Sequence, residues 1–337
     1  MFLGQQPDAG NLGGEFSVGG FPVGHLECTM PKAYCAPSDA ALDEQAEYID
    51  DLWFLLHHSE DDDTVVLGLT SYLDDSGSDD GSKLVTIGGP VMSRIQFRAF
   101  SERWTKMLIK YQIEPPLHMC DFYNDGKYAG WYPEFKRALF LHVAKLINEH
   151  KLYSLSIAIP QSDFKSEFGA EISKDLIGPY AFAFFTAVAS HQRISRVMKS
   201  GPLRIAYLVD DGFGQKWQLH AAHSVMVDNE RITGGFRPTG ALAFDTDDRV
   251  PALQGADVIA FASRKRELLD GALPEGFEPL HEVLSEQNIT PHAHIPMPRD
   301  GLKMLADPIH EWILRRGSIP LLGEIVRPGR PINPEVD

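Results

Sequence analysis

The feature that most constrains this chain is an apolar run that ends in two acids. Val65-Val66-Leu67-Gly68-Leu69-Thr70 reads as a strand buried on both faces, and Tyr72-Leu73-Asp74-Asp75-Ser76-Gly77-Ser78 closes it with paired carboxylates and a glycine turn. Side chains alternate along a strand, so Asp74 shares a face with Thr70 and Tyr72 while Asp75 points the other way. Two readings fit: a polar strand end with turn residues, or a rigid mount that holds Asp74 as a metal ligand. One strand does not decide between them, so the rest of the chain must supply partners.

Charge and cysteine content narrow the setting. The net charge is −16, but residues 37–63 hold ten acids and no Lys or Arg, and residues 1–36 add −2, which leaves −4 for residues 64–337. The acidity belongs mostly to a leader, and the near-balanced body neither advertises a nucleic-acid surface nor excludes a local basic groove. Cys28, Cys35 and Cys120 form an odd set with no CxxC, so a reducing cytoplasm is the expected setting. No run reaches the ~18 apolar residues of a membrane span, and the N-terminus lacks the basic start and apolar core of a signal peptide.

Periodicity sets out the elements. Residues 1–40 are rich in Gly and Pro and read as a flexible leader; Leu42, Ala46, Ile49, Leu52, Trp53 and Leu56 then mark a short helix that caps the body or binds a partner. Lys83–Met92 is a second strand, joined to the first as a hairpin. A helix spans Ile95–Tyr111, Leu117–Phe122 is a short extended segment or loop, and a helix over Phe135–His150 turns Phe135, Leu139, Val143, Leu146 and Ile147 inward. Leu152–Ile159 is a strand stopped by Pro160. A long helix, Pro179–Lys199, carries His191, Arg193, Arg196 and Lys199 as a basic C-terminal turn or rim. Leu203–Val209 is a buried strand that again ends in acids and glycine, Asp210-Asp211-Gly212. A helix over Gln215–Val227, a short strand at Leu242–Phe244 and an amphipathic helix over Val250–Leu269 complete the body. A Pro-rich linker with Pro291, Pro296 and Pro298, which holds the pair His292 and His294, leads to a helix at Leu302–Arg315.

Three acids stand out: Asp74 and Asp210 at strand ends, and Asp257 on an apolar helix face between Ala256 and Val258-Ile259-Ala260. An unpaired carboxylate there costs several kcal/mol, so it needs a cation, a metal or a hydrogen-bonding role; a solvent-facing Asp, or one paired with Arg264 or Arg249, is the structural alternative. Strand-end Asp, strand-end Asp and late-helix Asp, in that order, is the layout of ribonuclease-H-like nucleases. Two Mg²⁺ or Mn²⁺ ions about 3.5–4 Å apart need hard oxygen ligands, which carboxylates provide.

The same residues resemble the domain of unknown function 3800 family. Leu73-Asp74-Asp75-Ser76-Gly77, Tyr207-Leu208-Val209-Asp210 and Leu253-Gln254-Gly255-Ala256-Asp257-Val258-Ile259-Ala260 are similar to its motifs, over about residues 65–268. The resemblance implies a ribonuclease-H-like fold and a metal-dependent nuclease or phosphodiesterase. The family's Glu after the first Asp is Asp75 here, and its acid two residues before a His is absent, since Pro116 precedes Leu117-His118. The fourth ligand is therefore open among Asp75, Asp121, Glu114 and Asp211.

These observations predict an α/β ribonuclease-H-like domain over 64–270, with a central mixed sheet flanked by helices. A flexible acidic leader (1–63) precedes it and an extension (271–337) follows. Asp74, Asp210 and Asp257 are the expected ligands, with Asp75 and Asp121 as further candidates, and His118 either assists proton transfer or is a structural hydrogen-bonder. Lys136, Arg137 and Arg264-Lys265-Arg266 are candidate phosphate contacts or ordinary solvated helix faces. The expected substrate is DNA or RNA, with no membrane partner. The rival expectation is a non-catalytic scaffold that binds a protein partner through the acidic leader.

Overall fold

The computed structural model describes residues 39–57, 68–77, 81–123, 125–169, 178–197, 205–212, 216–228, 240–285 and 290–303. The leader before residue 39, the acidic run 60–63, Val65–Leu67, Lys199 and the tail beyond 303 lie outside the described residues.

Helix α1 (Asp39–His57) precedes strands β1 (Leu69–Ser76) and β2 (Leu84–Ser93), helices α2 (Arg94–Tyr111) and α3 (Pro133–His150), and strand β3 (Tyr153–Pro160). Helices α4 (Gln161–Phe168) and α5 (Pro179–Val197), strand β4 (Ile205–Asp210), helix α6 (Lys216–Asp228), strand β5 (Leu242–Asp245), helix α7 (Pro251–Leu268) and strand β6 (His292–Pro296) follow. The strands form one mixed sheet of six, ordered β5-β4-β1-β2-β3-β6. The first three run antiparallel in sequence, β4 lies parallel to β1, β5 parallel to β4, and β6 parallel to β3. Among the described residues no helix is long and apolar enough to cross a membrane.

Strand alternation sorts the core into two layers. Tyr72, Ala206 and Leu208 face α1, α2, α3 and α7, whereas Leu69, Leu73, Ile205, Tyr207 and Val209 face α4, α5 and α6. Helix α7 lies against β1 and β2 because small residues let it. A Cβ at Gly89 would sit 1.8 Å from the Tyr72 carbonyl oxygen and 3.0 Å from Ala256 Cβ; at Gly88 it would sit 3.2 Å from Ile259 Cγ2 and 3.3 Å from Ala260 Cα. Gly88 is also the register partner of Asp74. The close approach therefore falls where the acids are.

Several expectations change. The first strand runs two residues past Asp74, through Ser76, so Asp74 and Asp75 stand in its last turn of pairing with β2, which continues opposite them to the pair Ser76 and Thr86. Pro160 ends β3 but caps a helix, α4, that periodicity missed in so short a segment. The Pro-rich linker holds β6, whose backbone pairs with β3 from Ser154 to Ala158. Helix α1 caps the body: Ile49, Leu52 and Leu56 are buried against the α2 layer, and Asp50 pairs with Arg94 at 2.7 Å. Phe135 is 55% exposed rather than inward and packs edge-on against Trp131. His191 is not part of a basic rim. It is buried between Ser71 Oγ (3.0 Å) and Tyr153 Oη (2.8 Å), and burial pushes its pKa down to about 3, so it is neutral.

Gly89→Ala is expected to cost more than about 3 kcal/mol in urea unfolding, because backbone has to move. Gly130→Ala, where nothing lies within 4 Å of the added methyl, is the control and should change stability by less than about 0.5 kcal/mol.

Candidate active site

The parallel strands β1, β4 and β5 each end in acids on one side of the sheet. Asp74 follows Tyr72 onto the α7 face, Asp210 follows Ala206 and Leu208, and Asp245 stands opposite Asp210 in register. From above, α7 is buried from Pro251 to Ser263 at every position except Asp257, which is partly open. Asp257 is thus neither a solvent-facing residue nor a sealed one.

Each carboxylate has a donor, and each resists ionisation. Asp74 Oδ1 accepts the Asp75 N–H at 2.7 Å; burial, followed by the charges of Asp257, Asp75 and Asp210, holds its pKa well above the usual carboxylate range. Asp257 Oδ2 accepts the Met119 N–H at 2.7 Å, yet burial raises its pKa to about 7, with Met119 and His118 opposing the rise and Asp247 and Asp75 adding to it. Asp210 Oδ2 accepts the Gly212 N–H at 2.8 Å, and burial again raises its pKa.

Two acids join this group that sequence reasoning left out. Asp247, just past β5, has a pKa raised to about 6, chiefly by burial and then by Asp210 and Asp248 against the opposing His118. Its Oδ2 lies 3.1 Å from His118 Nδ1, so His118 is oriented by a carboxylate while remaining partly exposed. Asp245 is buried, accepts the Tyr48 hydroxyl of α1 and lies 3.5 Å from Arg249 Nη1. The signal was present: Asp245-Thr246-Asp247-Asp248 is a third apolar strand ending in acids, after Asp74-Asp75 and Asp210-Asp211.

Gln254 fixes the two loops that carry this pair. Its Oε1 accepts Trp104 Nε1–H at 2.7 Å and Leu117 N–H at 3.0 Å, and its Nε2 donates to the Asp247 carbonyl at 2.7 Å. The Gln of the Leu-Gln-x-Ala-Asp motif thus ties the His118 loop to the Asp247 loop, while the Asp of that motif holds the next residue of the first loop.

The remaining candidates are placed differently. Asp75 turns toward α5, where its charge acts on Tyr180, and it also raises Asp74 and Asp257. Asp121 lies in the 3-10 turn Met119–Phe122; burial, with the charges of Asp257 and Asp121 adding to it, raises the Cys120 thiol above its ordinary pKa. Glu114 pairs with Lys127 at 2.6 Å, and Asp211 pairs with Lys216. The basic candidates serve the fold. Lys136 donates to the carbonyls of Phe122 and Ala129, Arg137 pairs with Glu278, and Arg264 binds Leu84 O and Ser82 Oγ beside the β1–β2 turn. Lys265 lies over the Tyr123 ring at 3.6 Å and Arg266 reaches Leu284 O.

The donor chemistry suits a hard divalent cation: all the clustered acids offer carboxylate oxygens, and like charge raises the pKa of Asp74, Asp247 and Asp257. Their spacing is looser than a finished coordination shell. Among the described residues no three His, Cys, Asp or Glu side chains are arranged so as to hold a metal ion as they stand.

The raised carboxyl groups fix the sign of a pH dependence. The folded state holds protons on Asp257, and on Asp74, at pH values where the unfolded chain has lost them, so stability falls as pH rises from about 4 to about 7 in divalent-free buffer. Asp257→Asn should flatten that slope, measured by urea unfolding across the interval. Among known proteins, no family model and no curated sequence matches this chain.

Proposed function

We propose that this chain is a metal-dependent phosphodiesterase of ribonuclease-H-like fold that hydrolyses nucleic acid. The observation that carries the reading is that Asp74, Asp210 and Asp247 at the carboxyl ends of parallel strands and Asp257 on α7 act on one another: Asp257 and Asp210 raise the pKa of Asp74, Asp210 raises that of Asp247, and Asp247 raises that of Asp257. The strand order supports the fold: three sequential antiparallel strands, then two parallel strands added beside the first. The cysteines expected to stay reduced support a cytoplasmic setting, and Cys120 is a free thiol.

Asp74, Asp210 and Asp257 would hold Mg²⁺ or Mn²⁺, with Asp247 as the fourth carboxylate, a place the sequence leaves open among other acids. A bound ion would offset their charge and supply Lewis acidity toward a phosphodiester. The chain's own residues do the rest. His118, oriented through Nδ1 by Asp247, presents its other nitrogen as a proton donor or acceptor. Gln254 and the Met119 N–H keep that loop against α7, so His118 and Asp257 hold a fixed relation.

A second reading, a non-catalytic scaffold of the same fold, is favoured by the absence of a ready group of three metal donors among the described residues. Metal-linked stability separates the two. With a dissociation constant of about 1 mM, Mg²⁺ at about 10 mM should stabilise the wild-type protein by about 1.4 kcal/mol, and Asp74→Asn or Asp257→Asn should abolish the gain. Mg²⁺- or Mn²⁺-dependent cleavage of single- and double-stranded DNA and RNA should be lost in both variants while they remain folded. A wild-type protein whose melting temperature ignores both ions would end the catalytic reading.

A further inference from the structure

Three consecutive cations, Arg264-Lys265-Arg266, fall in the last two turns of α7, and the structure gives them different partners. Arg264 donates to Leu84 O and Ser82 Oγ, and Arg266 donates to Leu284 O. Lys265 Nζ instead lies 3.6 Å from the Tyr123 ring centroid and 5.4 Å from that of Phe261. Among the described residues it makes no hydrogen bond and no ion pair. The residues three and four positions away are Phe261, Ala262, Leu268 and Leu269, so its own stretch of chain offers it no acid.

A lysine in the last turn of a helix is ordinarily drawn to the unpaired carbonyls there or extends into water. Lys265 does neither. Its ammonium is held on a ring face and the residue is half-buried. Tyr123 is braced in turn, edge-on, by Phe261 at 5.8 Å and Phe277 at 6.4 Å. An aromatic face attracts the charge as a whole, so the contact packs Lys265 into the fold and leaves N–H donors for an anion.

The place of that charge relates it to the acids. Tyr123 follows the turn Met119–Phe122, whose first residue donates its N–H to Asp257. One short segment therefore touches α7 twice, at Asp257 through Met119 and at Lys265 through Tyr123. Along the helix the two contacts are about 12 Å apart. Phosphates on one nucleic-acid strand recur every ~3.4 Å of axis, so the interval spans about three or four of them.

We propose that Lys265, held over Tyr123, binds a backbone phosphate of a nucleic-acid strand about three or four nucleotides from the bond that the carboxylates attack. This rests on the reading of the site as a phosphodiesterase and adds the course of its substrate, which leaves the acids along the second half of α7. A strand entering that site is repelled by the carboxylates, so a fixed cation farther along supplies attraction that the site itself does not. Lysine meets a phosphate as a point charge, so it selects a strand long enough to reach it and reads no base.

The test is fluorescence-anisotropy titration of single-stranded oligonucleotides of about two to about twelve nucleotides in metal-free buffer. The full chain is used with Asp74→Asn and Asp257→Asn together, which removes cleavage and part of the repulsion. Affinity should step up once the strand exceeds about four nucleotides. Lys265→Met keeps the apolar stem over Tyr123 and should remove that step. It should also weaken the longest oligonucleotide about eightfold at about 50 mM salt and lower the slope of log affinity against log salt by about 0.7. Lys265→Arg should restore both. A length profile or salt slope that Lys265→Met leaves unchanged, or a protein that binds no oligonucleotide, overturns the proposal. Cleavage is assayed separately on the wild-type chain with Mn²⁺: binding that depends on Lys265 without any cleavage would end the hydrolytic reading and leave this one standing.

Discussion

The contact on which the structure depends is the seating of α7 on Gly88 and Gly89. A helix on a sheet normally stands off by the depth of two side-chain layers, and here one layer is missing where Ala256, Ile259 and Ala260 meet β2. That places Asp257 over the end of β1, whose Asp74 is paired in register with Gly88. The same helix carries Gln254 to the loops bearing His118 and Asp247. Packing and site geometry are thus one constraint: a larger residue at either glycine moves the helix and the carboxylate together.

Such a seating draws acids into one another's field. Burial is the first cause of the raised pKa at Asp74, Asp210, Asp247 and Asp257, and like charge adds to it. Backbone N–H groups from Asp75, Gly212 and Met119 offset part of the cost, and His118 another part. Hydrophobic packing in both layers must carry the remainder, which accounts for helix faces as uniformly apolar as that of α7.

Much of this was legible in the sequence, for reasons that differ by element. The strands β1 to β4 and the long helices announce themselves because each buries a continuous apolar face, and Asp257 is visible because a carboxylate contradicts its neighbours. The order of strands is set by pairing across long sequence distances, which periodicity does not encode. β6 was hidden by its prolines, which an edge strand tolerates, and by histidines that look polar until Ser154 and Ser156 pair with them. Asp247 was hidden because β5 is only four residues long and its acids read as a turn. Lys136 and Arg264 read as solvated cations, but their stems are packed and their charged ends bind carbonyls.

The two polar systems beneath α7 show how to tell structure from function in buried polar groups. Along Lys151, Ser154, His292, Ser156, His294 and Glu267 successive polar atoms lie 2.7–3.0 Å apart, from a buried lysine at one end to an exposed carboxylate at the other. Some ten residues, or about 15 Å, back along the helix, peptide N–H groups meet Asp74, Asp210 and Asp257, the His118 imidazole meets Asp247, and Tyr48 and Arg249 meet Asp245. The raised pKa values at Asp74 and Asp257 record that difference: like charges gathered under burial hold their protons.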